Sequence, residues 1–261
     1  MSKINTSLEG KVAIVTGGSK GIGRAAALNF AAHGANVTVV ARSKGPLEIT
    51  AKELEAFGKG VLPISADVGA EEDLKRVVDQ TVEKFGGVDI LMNNAAQVEP
   101  GWFDALTYES FERLMRVNTW SGIRLAQLCL PSLRKRGGGV IINISSDDSL
   151  YPSPGIGAYS MTKIAQVHFT KQMAVEWGKD EIRVVCISPS LTRTELAQEF
   201  VEFVEKSKNV TLNPLNNRIC EPEEVAALCL FVASPAGSFI NGYNYVVDGG
   251  CATQAPVQIM D

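Results

Sequence analysis

The sequence predicts an α/β fold in which a doubly wound parallel sheet of seven strands carries helices on both faces. Short apolar runs of β type alternate with helical patterns from end to end, and a glycine-rich turn follows the first apolar run. No internal repeat, low-complexity tract or proline-rich linker interrupts this alternation. We therefore expect a single domain over 1–261, with its core at about 8–251.

Seven apolar runs are the expected strands, and helical patterns fill the gaps between them. The runs lie at 12–16, 36–41, 61–65, 88–92, 139–144, 182–188 and 244–247. The crossover connections between them should be right-handed. After the first strand, Ile22, Ala26 and Phe30 recur at helical spacing, which predicts a helix face that packs on the sheet.

Composition and charge narrow the classes of partner. The chain has 261 residues, a hydrophobic fraction of 45% and a formal net charge of −4. The apolar fraction suffices for a core, and no stretch is long and uncharged enough to predict a membrane span. The net negative charge gives no electrostatic reason to expect nucleic acid or an anionic membrane as a partner.

The cysteines are odd in number and include no C-x-x-C pair. They are Cys129, Cys186, Cys220, Cys229 and Cys251. We interpret them as free, mostly buried thiols in a reducing compartment, and we expect no metal site. Because the start of the chain also lacks the apolar core of a signal peptide, we expect a cytoplasmic protein.

A tyrosine and a lysine lie one turn apart in the helical segment from Gly157 to Gly178. Tyr159 and Lys163 would share one face of this helix. A lysine cation at that distance favours the phenolate, which would bring proton exchange by Tyr159 nearer to neutral pH. The spacing also occurs by chance in many helices, so the pair alone is a weak signal.

Two serines end the apolar run of the fifth strand. A buried parallel strand would deliver a hydroxyl at its carboxyl end, where open α/β sheets bind their ligands. Ser145 and Ser146 both compete for this role. Asp147 and Asp148 follow, and they either face a polar or cationic substrate or belong to a solvated loop.

The first strand runs directly into a glycine turn, T-G-G-S-K-G-I-G at 16–23. Gly17 permits a tight turn, Gly21 lets the backbone approach a ligand, and Gly23 allows close packing of the helix. The start of that helix would present free N–H groups to a pyrophosphate. The alternative is a strand-to-helix turn that binds nothing.

The glycine turn, the strand-end serine and the Tyr159–Lys163 pair together resemble the short-chain dehydrogenase/reductase family, including its 3-oxoacyl-[acyl carrier protein] reductases. The resemblance covers about 8–251. It implies a Rossmann-type fold, a nicotinamide cofactor and hydride transfer between a carbonyl and a secondary alcohol.

The resemblance also implies roles for four catalytic residues. Tyr159 would be the general acid/base. Ser146, thirteen positions before it as in much of the family, would bind the substrate oxygen. Lys163 would lower the pKa of the tyrosine and hold the nicotinamide ribose. Asn118, inside a helical pattern, would hold a water beside the lysine, unless it is an ordinary capping or buried asparagine.

A larger set of residues is expected to contact the cofactor. Besides Tyr159 and Lys163, it comprises Gly17, Ser19, Lys20, Gly21, Ile22, Gly23, Arg42, Ser43, Asp67, Val68, Asn94, Ala95, Ala96, Pro189, Thr192 and Thr194. In the family the aspartate matching Asp67 binds the adenine, although Asp67 is also placed to cap the next helix. Asn93 is expected to stabilise neighbouring strands.

The end of the second strand predicts a preference for NADP(H). An acid near this point binds the ribose 2′-OH in NAD-preferring folds, but here Ala41 leads into Arg42 and Ser43. The Arg42 guanidinium suits bidentate contact with a phosphate, and Lys20 and Ser43 offer further donors. NAD(H) is the less expected cofactor.

Three positions depart from the family's pattern. Ala96 and Ser190 replace glycines, and Val185 replaces an asparagine. The irregular segment 97–107 is expected to border the substrate mouth, and about 190–217 is expected to form a mobile lid.

We therefore expect an NADP(H)-dependent carbonyl reductase or alcohol dehydrogenase that acts on a small molecule. The alternatives are a non-catalytic dinucleotide-binding sensor or scaffold, and an epimerase or dehydratase that uses bound NAD. Relatives are commonly tetramers, and short or neutral residues opposite Tyr159 predict a homotetramer, unless they cover the domain's own core. These residues are Met161, Ala165, His168 and Gln172.

Overall fold

The computed structural model describes residues 4–207, 215 and 218–253. Its strands form one parallel sheet of seven, in the order β3-β2-β1-β4-β5-β6-β7. They are β1 Val12–Thr16, β2 Asn36–Ala41, β3 Val61–Ser65, β4 Ile90–Asn93, β5 Gly139–Ile144, β6 Ile182–Pro189 and β7 Asn244–Val247. The predicted fold class is confirmed.

Helices cover both faces of this sheet. They are α1 Gly21–Ala32, α2 Lys44–Glu55, α3 Glu71–Phe85, α4 Tyr108–Met115, α5 Ser121–Lys135, α6 Gly157–Trp177, α7 Gln198–Lys206 and α8 Pro222–Ala233. The apolar sides of α1, α2 and α8 pack on one face of the sheet, and those of α3, α5 and α6 pack on the other. Because the strands between them are buried on both faces, they read as continuous apolar runs.

The strand bounds follow the prediction except at three ends. The fourth strand begins at Ile90 rather than at 88 and ends at Asn93 rather than at 92, and the sixth ends at Pro189 rather than at 188. Asp89, just before β4, is buried among charged and polar partners. Its carboxylate accepts hydrogen bonds from the backbone N–H of Val12 at 2.9 Å and from the guanidinium of Arg136 at 2.7 Å. The hydrogen bonds of the Asp89 side chain therefore support the sheet at the start of β1 and β4.

The sheet topology places the predicted site. β1 lies between β2 and β4, so the strand order reverses there. Ligands of open α/β sheets bind at such a switch point, outside the carboxyl ends of the strands. The turn after β1 and the segments after β4 and β5 all lie at this edge.

The predicted lid at about 190–217 is described in part. A 3₁₀ turn at Glu195–Ala197 leads into α7, which exposes Phe200 and Phe203. Arg193 ties this region together through ion pairs with Glu205 at 2.7 Å and Glu221 at 3.1 Å. Residues 208–214 and 216–217 lie outside the described part, so the lid itself stays a prediction. Within the described ranges, no helix is long and apolar enough to cross a membrane.

Candidate active site

Helix α6 brings Tyr159 and Lys163 together at the carboxyl edge of the sheet. The Lys163 side chain is 2% exposed, and its Nζ lies 5.3 Å from the centroid of the Tyr159 ring. The ammonium donates hydrogen bonds to the backbone carbonyl of Ile144 at 2.9 Å and to Oε1 of Gln166 at 3.1 Å. A carbonyl at the end of β5 and a side chain on α6 therefore fix the position of the charge.

The titration of this pair differs from the expectation drawn from helical spacing. Burial raises the pKa of the Tyr159 hydroxyl, and the Asp148 carboxylate raises it further, while the nearby Ser146 hydroxyl lowers it. Burial also lowers the pKa of Lys163 to about 8. In this low-dielectric site, desolvation penalises the charged form of both groups, so one turn of helix does not decide the protonation of the phenol.

The two serines at the end of β5 differ in what they contact. The Ser145 hydroxyl donates to the backbone carbonyl of Lys163 at 2.9 Å, which ties α6 to the strand. The Ser146 hydroxyl instead lies near the Tyr159 phenol and two carboxylates, with Asp148 Oδ2 at 3.0 Å and Asp147 Oδ1 at 3.2 Å. A hydroxyl has one proton to donate, so only one carboxylate can accept it at a time.

The acidic pair after Ser146 belongs to a buried cluster rather than to a solvated loop. Asp147 is 9% exposed, and the Tyr151 hydroxyl donates to its Oδ2. The same hydroxyl lies 3.2 Å from the Sγ of Cys251. Desolvation raises the pKa of the Asp147 carboxyl to about 6, although the Tyr151 bond opposes this. Asp148 has a buried Oδ1 for which the described residues offer no hydrogen-bond partner.

Asn118 lies in an irregular turn of a continuous helical segment. Residues Arg116–Trp120 form a π-helical turn between α4 and α5, a feature frequent at functional sites. The Asn118 amide is held by the backbone of Gln97, with both the N–H and the carbonyl of Gln97 at 2.8 Å. Its backbone carbonyl accepts from Nε2 of Gln166 at 2.6 Å. The side chain therefore buttresses the loop after β4, and the carbonyl faces the surroundings of Lys163.

The glycine turn fits a bound pyrophosphate. Gly17 and Gly21 have φ angles of +63° and +50°, which residues other than glycine rarely adopt. A Cβ on Gly23 would meet the carbonyl oxygen of Gly17 and the Nδ2 of Asn94, at 2.5 Å from the latter. No side chain in the described ranges caps the start of α1, so the first N–H groups of this helix are available to an anion.

Thr16 and Asn94 hold this turn in place. The Thr16 hydroxyl accepts hydrogen bonds from the N–H groups of Asn94 and Ala95 at 3.0 and 3.1 Å. The Asn94 amide donates to the carbonyls of Thr16 at 2.9 Å and Gly17 at 3.2 Å. Ser19 is tied in as well, because its carbonyl accepts from Thr50 of α2. Asn94 thus supports the turn through its side chain.

The groups expected at the cofactor's 2′ position are exposed at the same edge. Arg42 and Ser43 follow β2 directly, and Lys20 precedes α1 in the glycine turn. Ser65, at the end of β3, donates to the backbone carbonyl of Arg42 at 3.1 Å. This contact fixes the backbone at the strand end while the guanidinium stays exposed.

The remaining expected cofactor residues line this edge. Asp67 is exposed after β3, and its Oδ1 accepts from the N–H of Gly69 at 2.8 Å. It does not cap α3, whose N-cap is Ala70. Val68 beside it is buried. The methyl of Thr194 lies 2.9 Å from where a Cβ on Gly21 would be, so the segment after β6 packs against the glycine turn.

The three departures from the family's pattern lie after β4, within β6 and in the turn that follows β6. Ser190 keeps a backbone bond to Val247 at 3.1 Å, and Val185 is buried in the core. Thr192 is buried and donates to the carbonyl of Ser190 at 2.8 Å. Pro189 closes β6, and Ala96 lies half-buried after β4. The turn after β6 is therefore bonded to the sheet without a glycine at 190.

Asn93 joins three elements, as expected of a strand-stabilising residue. Its Nδ2 donates to Oδ1 of Asn143 on β5 at 2.8 Å and to the carbonyl of Gly122 on α5 at 3.3 Å. The amide of Asn143 in turn donates to the Thr170 hydroxyl of α6 at 2.9 Å.

Sequence reasoning missed four residues of this site. They are Thr16, Gln97, Tyr151 and Gln166. Gln166 had a usable signal, since it follows Lys163 by three positions on the same helix. The others are brought in by contacts between distant parts of the chain.

The fold and the site define a doubly wound α/β protein with serine, tyrosine and lysine side chains gathered at the same edge of the sheet as the glycine turn. The sequence profile described as Enoyl-(Acyl carrier protein) reductase matches residues 17–252. The chain is 35% identical over 251 residues to Dehydrogenase/reductase SDR family member 4 of Sus scrofa, covering 95% of this chain and 89% of that protein.

Two solved structures show the same similarity. L-sorbose reductase from Gluconobacter frateurii, complexed with NADPH and L-sorbose, is 34% identical with a TM-score of 0.91, and the match covers 96% of this chain and 100% of that one. A 7α-hydroxysteroid dehydrogenase complexed with NADH and 7-oxo glycochenodeoxycholic acid is 33% identical with a TM-score of 0.88, over 96% and 97%. The chain belongs to the short-chain dehydrogenase/reductase family, whose members act as oxidoreductases on carbonyl or alcohol substrates.

Proposed function

We propose that the protein reduces a carbonyl or oxidises a secondary alcohol with NADP(H), using Tyr159 as the general acid/base. The observation that carries this proposal is the convergence of Tyr159, Ser146 and Lys163 at the carboxyl end of β5, beside the glycine turn. When bound, the nicotinamide cofactor supplies or accepts the hydride.

In the reducing direction, the Tyr159 hydroxyl donates its proton to the carbonyl oxygen of the substrate. The raised pKa of this phenol keeps the proton in place at neutral pH, as a resting acid requires. The Ser146 hydroxyl holds the same oxygen when its proton is not taken by Asp148 or Asp147. The Lys163 ammonium, 5.3 Å from the ring, stabilises the phenolate that remains. Asn118 supports this arrangement through its backbone carbonyl and Gln166.

Replacing Tyr159 with phenylalanine tests this assignment. We expect Tyr159→Phe to bind the cofactor nearly as well as the unmodified protein and to lose about 10²-fold or more in kcat, because only the proton donor is removed. Tyr243→Phe, at an exposed tyrosine far along the chain, is the matched control and should keep full activity. Near-normal turnover in Tyr159→Phe would contradict the proposed mechanism.

The cofactor preference is proposed from the charges that follow β1 and β2. The fit of the glycine turn supports a dinucleotide, and Arg42, Lys20 and Ser43 supply the donors for a 2′-phosphate. Charge-assisted hydrogen bonds contribute about 1.5–3 kcal/mol each, so one or two of them give NADP(H) a preference of about ten- to a thousandfold.

An acidic substitution reverses the local charge. We expect Arg42→Asp to shift kcat/KM toward NADH, with a parallel change in the Kd of each cofactor measured by fluorescence titration. Arg134→Asp, on α5 at the other end of the sheet, changes the net charge equally and should leave the preference as it was. Equal kcat/KM values for both cofactors in the unmodified protein would exclude the 2′-phosphate assignment.

The alternative function is a dinucleotide-binding sensor or scaffold without turnover. It would be favoured if the protein bound NADPH but reduced no member of a broad panel of ketones, aldehydes and acyl thioesters. The gathering of Tyr159, Ser146 and Lys163 favours the enzyme, since a binding module needs no acid beside a positioned cation.

We also propose a homotetramer, and a cytoplasmic location stays a prediction. The face of α6 turned away from Tyr159 does not cover the core of this chain, since Met161, His168 and Gln172 are exposed and Ala165 is half-exposed. An outward helix face with apolar and neutral residues suits packing against a second copy. Light scattering that showed a monomer at micromolar concentration would exclude this assembly.

A further inference from the structure

The mechanism above uses the buried amide of Gln166 only through its link to Asn118, and leaves its bond to Lys163 without a role. Gln166 lies on α6 one turn after Lys163 and is 2% exposed. Burying such a side chain is costly unless its polar atoms are paired. Both of its ends are paired here: Oε1 accepts from Lys163 Nζ at 3.1 Å, and Nε2 donates to the Asn118 carbonyl at 2.6 Å.

The two partners fix the orientation of this amide. An ammonium only donates hydrogen bonds and a backbone carbonyl only accepts them, so the oxygen of Gln166 must face Lys163 and its nitrogen must face Asn118. The backbone carbonyl of Gln166 also accepts from the Thr170 hydroxyl at 2.8 Å, and Thr170 is bonded to Asn143 of β5. The backbone of Gln166 is therefore linked to β5 through Thr170, and its side-chain amide is held at both ends by Lys163 and Asn118.

We infer that Gln166 is a positioning residue that bridges the π-helical turn to Lys163 and holds the ammonium both in place and in its charged form. The inference rests on the function proposed above for Lys163. Its contact with Asn118 takes up one of the two lone pairs of the Asn118 carbonyl. In this chain the Gln166 side chain thus links Asn118 to Lys163, next to which the resemblance implied a water held by Asn118.

Few groups affect the pKa of Lys163, so the effect of the Gln166 bridge on that pKa can be measured. The titratable side chains facing it are Tyr159 from its own helix, Cys186 from β6 and Asp148 from the turn after β5. Burial acts against the ammonium, so each acceptor that remains matters to its pKa. The Ile144 carbonyl and the Gln166 amide are the acceptors that the described residues provide.

The test measures the pKa of Lys163 in the protein without ligands. The titration is monitored by NMR of the lysine side-chain carbon next to the amine. The signal is identified by its loss in Lys163→Arg. We expect Gln166→Met, which keeps the volume but removes the acceptor, to lower this pKa by about one pH unit or more. Gln166→Glu should raise it, because a carboxylate favours the cation. Gln172→Met, on the exposed side of the same helix, is the matched control and should leave it unchanged.

The opposite signs keep the inference falsifiable if either substitution impairs folding. An unchanged Lys163 pKa in whichever folded variant is obtained would overturn it and make Gln166 a packing residue. In turnover assays, activity should fall at alkaline pH as Lys163 loses its proton. This fall should occur at lower pH in Gln166→Met than in the unmodified protein, and the activity should be recovered in Gln166→Glu. The NMR titration needs no substrate, so it tests the role of Gln166 even if the protein reduces no carbonyl. A lack of turnover would then count against the proposed function alone.

Discussion

Removing the charge of Asp147 should stabilise the protein in a pH-dependent manner. Asp147 is 9% exposed, and burial raises its pKa to about 6 from an ordinary value of 3.8. Between these two values the folded protein keeps a proton that the unfolded chain has released. The folded state therefore binds more protons in this window, and the free energy of unfolding falls as the pH rises through it.

The size of the effect follows from the same two values. A difference of about two pH units corresponds to about 3 kcal/mol of stability, present below pH 4 and lost by the time the pH exceeds 6. Asp147→Asn does not titrate, so it escapes this loss. We expect the stability of Asp147→Asn, relative to the unmodified protein, to increase by up to about 3 kcal/mol between pH 4 and pH 7.

Urea denaturation at a series of pH values measures this difference. Tyr151→Phe supplies an internal check on the sign, because the Tyr151 hydrogen bond lowers the pKa of Asp147. Its loss should move the window of falling stability to higher pH. A stability difference between Asp147→Asn and the unmodified protein that is constant from pH 4 to 7, or that shrinks, would refute the reasoning.

Two further substitutions test the frame around the site. Asp89→Asn should lower the free energy of unfolding by about 2–3 kcal/mol, because it leaves the guanidinium of Arg136 without its buried partner. Lys11→Gln removes only the exposed partner at 3.5 Å and should lower that free energy by at most about 1 kcal/mol. Equal effects of the two substitutions in urea denaturation would contradict the difference in burial. Gly23→Ala should weaken NADPH binding by about tenfold or more, since its Cβ would displace the Gly17 carbonyl and the Asn94 amide that shape the turn. Gly45→Ala, where a Cβ meets nothing within 4 Å, is the control, and fluorescence titrations that gave one Kd for both variants would show that the turn tolerates the group.

The positions of the strands could be predicted from the sequence because their physical cause is local. A parallel strand covered by helices on both faces must be apolar along its whole length, so β1 and β5 are visible as V-A-I-V and V-I-I-N-I without knowledge of their neighbours. The glycine turn is local in the same sense, since the φ angles of Gly17 and Gly21 demand glycine at those positions. The Tyr159–Lys163 pair needed only the period of a helix.

Only the tertiary structure decided what these local features contact and how they are charged. Ser145 and Ser146 are adjacent and chemically identical, yet one is bonded to the carbonyl of Lys163 and the other lies beside two carboxylates. Tyr151 contacts Cys251, which lies 100 positions away in the sequence, and no local spacing predicts this contact. The pKa of Tyr159 is raised, whereas the sequence predicted that it would be lowered. The helix period shows only that Lys163 lies on the same face as Tyr159, but burial decides whether a charge is favourable there. Desolvation depends on every element packed around a group, so it is settled only when the chain has folded.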